Sequence, residues 1–289
     1  MSSKEIDWYT LAGVGIIGGL ICIYAAVILN AVFGVSYFAF LGAAGAILAT
    51  VWGADAVRKI CKYGIGTGVP SIGMLAFGMG LLATLLGLKF GDWLVAKDYL
   101  AGEIVDGVTL GVIVGPIAAV ILSLVQGYII GFIAQNILKM KIPTMQVGMT
   151  MIAGAASLIY IGYTVAITGH FDFGTMVNSI LDTGFIAPLF IVGALPMLHP
   201  FNACLGPDES QKRTLVLAVE AALMSTVIFG ILSMAFFHVD VSDLATPAIT
   251  IVLGLLAWIY AYLAYWKEVK ASGVPILKTG LIPAKEEGQ

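Results

Sequence analysis

The sequence predicts an all-α polytopic integral membrane protein with about eight transmembrane helices. Of its 289 residues, 60% are hydrophobic and 11% are charged, against roughly half and about a quarter in a soluble domain. The mean hydropathy is +1.01, and apolar runs long enough to cross about 30 Å of hydrocarbon recur along the chain. These observations exclude a soluble globular protein. The net charge of -3, with basic residues only in short clusters, excludes nucleic acid as a partner.

Each predicted span is a run with few charges. The first follows Glu5 and Asp7 rather than a basic segment and has no small-residue cleavage site, so we interpret it as a retained helix, not a signal peptide. The fourth is too long for one upright helix: it must tilt, kink near Gly115 and Pro116, or leave the membrane at Gln135 and Asn136. In order, the runs cover residues 11–30, 35–54, 69–88, 108–138, 145–168, 174–198, 214–237 and 245–266.

The chain is predicted to form a single transmembrane domain over residues 1–289, ending in a short cytoplasmic tail at 271–289. A basic link at 139–143 divides the runs into two sets of four, so two halves, 8–141 and 142–270, remain an alternative description. No residue-by-residue match between these halves is evident.

The distribution of lysine and arginine predicts the orientation, because cytoplasmic loops retain positive charge. With the amino terminus inside, the outer segments contain only Lys89 and Lys97. The inner segments contain the other twelve basic residues: Lys4, Arg58, Lys59, Lys62, Lys139, Lys141, Lys212, Arg213, Lys267, Lys270, Lys278 and Lys285. Both termini are therefore predicted to be cytoplasmic.

Three carboxylates lie inside or at the edge of the predicted spans: Asp55, Asp182 and Glu220. Such groups are costly in a membrane and often mark an ion pathway. Asp55 and Glu220 fall in the inner half, where they could bind Na⁺, a hard cation that prefers oxygen ligands. The structural alternatives are that Asp55 pairs with Arg58 or Lys59 one turn away, and that Glu220 snorkels to the membrane surface or pairs with Lys212 or Arg213. Asp182 is interpreted as an interfacial or subunit-facing residue.

Two loops on the predicted cytoplasmic side are rich in glycine, proline and polar groups. The first, at 63–73, has glycines at alternate positions, which predicts an irregular segment and places Thr67 and Ser71 next to a cavity or a tight turn. It lacks the Gly-Lys-Ser/Thr ending of a phosphate-binding loop. The second, at 198–209, contains two prolines and a glycine that are expected to end the sixth helix, and it places His199 and Asn202 beside Lys212 and Arg213.

The remaining reactive side chains do not assemble into a known catalytic set. The three cysteines, Cys22, Cys61 and Cys204, are odd in number and include no C-x-x-C pair, so the sequence indicates neither a disulfide framework nor a zinc site. Cys204 is interpreted as a packed neutral thiol, and His199 has no second histidine at metal spacing. No catalytic triad, dinucleotide-binding fingerprint or haem motif can be assembled.

The stretches 52–59, 63–73 and 199–207, with the link at 139–143 and the acidic end at 285–287, resemble the MtrC family, the C subunit of the tetrahydromethanopterin S-methyltransferase of methanogenic archaea. The similarity covers nearly the whole chain. It implies membership of a membrane complex that transfers a methyl group from methyl-tetrahydromethanopterin, or its tetrahydrosarcinapterin variant, to coenzyme M and drives sodium out of the cell.

The resemblance also implies a division of labour within the complex. The methyl group is carried by a corrinoid on a partner, the A subunit, so this chain need not hold that cofactor or a complete catalytic site. The D and E subunits are the other large membrane partners, membrane lipid surrounds the chain, and coenzyme M is a further candidate ligand. Asp55 and Asn202 lie within the similar stretches, whereas Glu220 is a sodium candidate by position alone. Two alternatives remain open from the residues: a stand-alone secondary transporter for a small solute or ion, and a non-catalytic scaffold.

The basic asymmetry generates a topology prediction. In a variant with its three native cysteines replaced, a single cysteine introduced within residues 92–106 should react with an impermeant thiol reagent added outside the cell. A cysteine within 58–70 should react only after the membrane is opened. Labelling of a cysteine within 58–70 from outside would show that the orientation is the opposite of the predicted one.

Overall fold

The computed structural model describes residues 5–61, 68–202, 211–237 and 245–271, and this part of the chain is nearly all α-helical. The helices are α1 (Trp8–Gly13), α2 (Gly19–Phe33), α3 (Phe40–Cys61), α4 (Gly68–Ala96), α5 (Leu110–Phe132), α6 (Met145–Thr168), α7 (Phe173–Thr175), α8 (Ile186–Asn202), α9 (Gln211–Phe236) and α10 (Ala245–Ala271). A π-helical segment, Val14–Gly18, joins α1 to α2. The two-stranded antiparallel hairpin β1 (Glu103–Val105) and β2 (Val108–Thr109) joins α4 to α5.

The fold confirms the predicted class of membrane protein. Within the described residues, seven helical stretches are long and apolar enough to span a membrane, and an eighth is reached if a bent pair of helices is counted as one span. Asp7 caps the first helix by accepting hydrogen bonds from the Tyr9 and Thr10 backbone. The Thr10 hydroxyl and these N–H groups hold the pKa of the Asp7 carboxyl below its usual value. The division into two halves stays a prediction.

The bundle has two distinguishable ends. At one, which we call the Arg58 end, Gln211 bonds to the backbone of Ile6 and Thr144 donates to the Lys59 carbonyl. At the other, the Asp106 end, Thr246 donates to Ser36. Asn30, Asp106 and Thr168 line one cavity there.

Helix α6 is the centre of the bundle and is buried along most of its length. It crosses α3 where two glycines meet: a Cβ added to Gly162 would lie 2.6 Å from the Gly42 carbonyl oxygen, and one added to Gly42 would lie 2.5 Å from that of Gly162. Small residues at such a crossing allow two backbones to approach closely, which is the main source of helix attraction in lipid. Helices α3, α4 and α5 all pack against α6.

The prediction that both loops are irregular along their whole length is wrong where each loop joins a neighbouring helix. Helix α4 already starts at Gly68, so residues 68–73 of the glycine-rich segment are helical; Pro70 lies in the first turn, where the missing N–H costs no helical hydrogen bond. Helix α8 continues through Pro196 and Pro200 to Asn202. Pro196 cannot donate to the Val192 carbonyl, and the Ser225 hydroxyl of α9 donates to that oxygen instead, at 3.2 Å.

Two predicted spans also differ in shape from single straight helices. The sixth run bends by 98° between Leu181 and Ile186, so Asp182 lies in the break at the Asp106 end. The fourth run starts as β2 and becomes helical at Leu110; Pro116 lies inside the helix, and the chain turns π-helical at Ile133–Ile137, around Gln135 and Asn136.

Candidate ion and partner site at the Arg58 end

Asp55 lies in the last two turns of α3 and is only 2% exposed. Its carboxylate accepts a hydrogen bond from Arg58 Nε at 3.2 Å and another from Lys59 Nζ at 2.5 Å. Residues three and four positions apart share one face of a helix, so this spacing brings all three charged groups together. The structure thus gives Asp55 the ion-pair partners that its structural alternative predicted.

This cluster extends to two other segments of the chain. Arg58 is fully buried, and its guanidinium lies 2.9 Å from the Glu5 carboxylate. Gln211, the first residue of α9, donates to Asp55 at 3.0 Å and to the Ile6 carbonyl at 2.9 Å, while its own oxygen accepts from the Ile6 N–H at 2.7 Å. The network therefore ties the amino-terminal segment, α3 and α9 to one another.

Aromatic packing covers the remaining cation of the cluster. The Lys59 ammonium lies 4.4 Å from the centre of the Trp8 ring, where the face of an indole attracts positive charge. Buried charges are tolerated only when they are paired and hydrogen-bonded. Asp55, Arg58 and Lys59 meet that condition within the protein itself.

Glu220 has a different environment. It is half-buried on α9, about 14 Å along the helix axis from Gln211, and its carboxylate accepts a hydrogen bond from the indole N–H of Trp258 on α10 at 2.6 Å. It also interacts electrostatically with the half-buried His199 of α8. The pairing of Glu220 with Lys212 expected from the sequence is wrong, because Lys212 forms its salt bridge with Glu268.

The candidates for a partner-facing surface gather at the same end. Ser71 lies in the first turn of α4, His199 and Asn202 lie in the last turns of α8, and Lys212 and Arg213 begin α9. Helices α4 and α8 touch here, because a Cβ added to Gly73 would lie 2.7 Å from the Leu198 side chain. Thr67 and Cys204, and with them the centres of both predicted loops, fall outside the described residues.

Sequence reasoning missed three side chains that build this site. Glu5, Gln211 and Trp258 each contact a charged candidate that is at least 38 residues away along the chain, and no local pattern marks such a pairing. Within the described ranges, no group of three or more histidine, cysteine, aspartate or glutamate side chains is arranged to hold a metal ion.

Comparison with known proteins finds one family description over most or all of the chain. A family model for the C subunit of tetrahydromethanopterin S-methyltransferase, MtrC, matches residues 1–286. The protein of that description from Methanosarcina mazei is 42% identical over 280 residues, covering 97% of this chain and 94% of the relative. Its namesake from Methanothermobacter thermautotrophicus is 36% identical over 279 residues, covering 96% and 93%. That from Methanocaldococcus jannaschii is 35% identical over 247 residues, covering 86% and 83%.

The buried network predicts that Asp55→Asn is destabilising. The substitution removes the carboxylate between two buried cations, and breaking a buried ion pair in this way costs about 3–5 kcal/mol. Thermal denaturation of the purified complex, followed by size-exclusion chromatography of the fluorescently tagged chain, should show a lower midpoint. As a control, Lys212→Gln removes a pair whose lysine side chain is 61% exposed, so it should cost at most about 1 kcal/mol. Equal midpoints for Asp55→Asn and the unaltered chain would contradict the prediction.

Proposed function

This chain belongs to the MtrC family, the C subunit of tetrahydromethanopterin S-methyltransferase, and we propose that it contributes to the sodium pathway of that complex. It is a membrane component of a methyltransferase, and other subunits of the complex are its partners. In the proposal, the complex transfers the methyl group of methyl-tetrahydromethanopterin, or of methyl-tetrahydrosarcinapterin, to coenzyme M. The free energy released drives sodium out of the cell.

The observation that carries the sodium role is the environment of Glu220. A carboxylate inside a membrane-spanning helix is expensive and is retained where it serves an ion or substrate path. The indole N–H of Trp258 orients this carboxylate at 2.6 Å without neutralising it. A neutral donor leaves carboxylate lone pairs available to a cation, and Na⁺ prefers such oxygen ligands.

Asp55 and Asn202 have supporting roles in this proposal. Asp55 offsets the positive charges of Arg58 and Lys59 at the Arg58 end, where the proposed pathway opens. A sodium ion that approaches this end therefore meets less repulsion. Asn202 ends α8, and its amide is of a type that can contribute a neutral oxygen to a hard cation. Glu220 supplies the main charge.

The methyl-transfer chemistry is assigned to the partners of this chain. In the proposal, a corrinoid held by the A subunit receives the methyl group, and the D and E subunits complete the membrane part of the complex. Coenzyme M carries a sulfonate, which basic residues recognise through charge-assisted hydrogen bonds. We place its approach at the Arg58 end, next to Ser71, His199, Asn202 and Arg213, and we assign that end to the cytoplasm because the basic residues collect there.

The sodium role predicts a specific defect in Glu220→Gln. This variant keeps the shape and a hydrogen-bond acceptor for Trp258 but loses the charge, so the sodium concentration that gives half-maximal methyl transfer should rise roughly tenfold, equivalent to about 1.4 kcal/mol. Methyl transfer by the assembled complex should be measured against sodium concentration at constant ionic strength. Asp182→Asn is the matched control, because its carboxylate lies in the α7–α8 break at the other end. Unchanged sodium dependence in Glu220→Gln would remove Glu220 from the sodium pathway.

The coenzyme M surface predicts a substrate-binding defect in Asn202→Ala combined with Arg213→Ala. Loss of a charged hydrogen-bond partner should raise the Michaelis constant for coenzyme M about tenfold without loss of subunits. Lys270→Ala removes an exposed positive charge at the same end and should leave the constant unchanged. Cys204→Ser should be nearly silent, since that thiol is assigned a packing role. An unaltered constant in the double variant would show that coenzyme M binds elsewhere. Severe inactivation by Cys204→Ser would show that the packing role of this thiol is misassigned.

A further inference from the structure

The Asp106 end contains a cavity of about 450 Å³ that the sodium site at Glu220 does not use. It lies where the ends of α2 and α6 meet the hairpin that connects α4 to α5. Its lining consists of Val27, Asn30, Ala31, Gly34, Val35, Ser36, Tyr37, Asp106, Gly107, Val108, Thr168, Gly169 and His170. Since one water occupies about 30 Å³ in the liquid, the cavity has room for on the order of ten water molecules.

The charge distribution around the cavity is negative. Helix α2 ends at Phe33 and α6 ends at Thr168, and each is followed by a glycine in the left-handed conformation, Gly34 and Gly169, that lines the cavity. The carboxyl end of a helix carries a partial negative charge from its last carbonyl groups. Asp106 adds a full negative charge between the two ends. The described lining residues include no lysine or arginine, and the basic side chain among them is the imidazole of His170. Such a site disfavours anions and attracts cations.

The lining also supplies neutral oxygens and a place for water. Ser36, Tyr37 and Thr168 contribute hydroxyl groups. The side-chain oxygen of Asn30 accepts a hydrogen bond from the Phe38 backbone at 2.9 Å, so this oxygen is held in place beside the cavity.

We propose that this cavity is a vestibule that binds a hydrated alkali cation at the end of the bundle opposite the coenzyme M surface. Asp106 provides the charge, and the helix ends and hydroxyl groups provide the oxygens that contact the ion or its water. One carboxylate and neutral oxygens suit a singly charged ion that is bound weakly and released. The identification of the cation as sodium rests on the proposed function, whereas cation binding itself rests on the geometry of the cavity alone.

Terbium luminescence tests the proposal, because a Tb³⁺ ion takes hard oxygen ligands and emits when a tyrosine close to it is excited. The assembled complex should be titrated with Tb³⁺ and the signal then competed with NaCl or with choline chloride at equal ionic strength. We expect saturable emission that sodium reverses and choline does not. Asp106→Asn should weaken the apparent Tb³⁺ affinity at least tenfold, since even indirect ligands contribute about 10–100-fold to metal affinity.

Two further variants make the result specific. Asp98→Asn is the matched control: Asp98 is also exposed at this end but does not line the cavity, and asparagine tolerates its positive φ of 59°, so the affinity should not change. Tyr37→Phe removes a tyrosine that lines the cavity and should reduce the emission, while the affinity, read from sodium competition, should fall less than in Asp106→Asn because the charge of Asp106 remains. Equal affinities in Asp106→Asn and the unaltered complex, or equal losses in Asp106→Asn and Asp98→Asn, would contradict the proposal that this cavity binds a cation.

The same preparations separate this inference from the proposed function. If Asp106→Asn abolishes terbium binding while methyl transfer shows no dependence on sodium, the vestibule is supported and the sodium role fails. If methyl transfer depends on sodium through Glu220 while terbium binding is insensitive to Asp106, the sodium role is supported and the vestibule fails.

Discussion

The close crossing of α3 and α6 at Gly42 and Gly162 is the contact on which the rest of the bundle depends. Lipid chains are as apolar as leucine, so the hydrophobic effect gives little attraction between membrane helices, and close backbone packing must provide it. A side chain at either glycine would meet the facing carbonyl oxygen at 2.5 or 2.6 Å. The crossing fixes α6 at the centre and thereby positions α3, whose last turns carry Asp55, Arg58 and Lys59.

The same environment explains how two prolines fit inside helices. A carbonyl released by proline cannot find water in the bilayer core and must be satisfied by the protein. Ser225 of α9 supplies a donor to the Val192 carbonyl that Pro196 releases. In α5, the Tyr24 hydroxyl of α2 donates at 2.7 Å to the Ile113 carbonyl, in the turn before Pro116. A side chain from another helix therefore supports the chain close to each of these two prolines.

Sequence reasoning recovered what local spacing determines. The apolar runs predict the membrane class and most of the spans, and the positions of Asp55, Arg58 and Lys59 predict their pairing because neighbours on one helix face must meet. The helical course of α8 through Pro196 was not predictable, because the compensating Ser225 lies on a different helix. Trp258 was missed as the partner of Glu220 for the same reason, and the cavity at Asp106 combines segments at least 60 residues apart.

The charged side chains of the Arg58 end differ in environment from the carboxylates Glu220 and Asp106, and this difference fits the proposed cation transport better than a purely structural role. At the Arg58 end, Asp55 and Glu5 offset buried positive charge inside the protein, so a cation that approaches this end meets less repulsion. Glu220 accepts from the neutral indole N–H of Trp258 and interacts electrostatically with His199, whereas Asp106 is exposed beside hydroxyl groups and two helix carboxyl ends. A half-buried carboxylate such as Glu220 adds a desolvation cost that helix packing alone does not offset. In the proposed function, a hard cation in its path supplies the compensating charge.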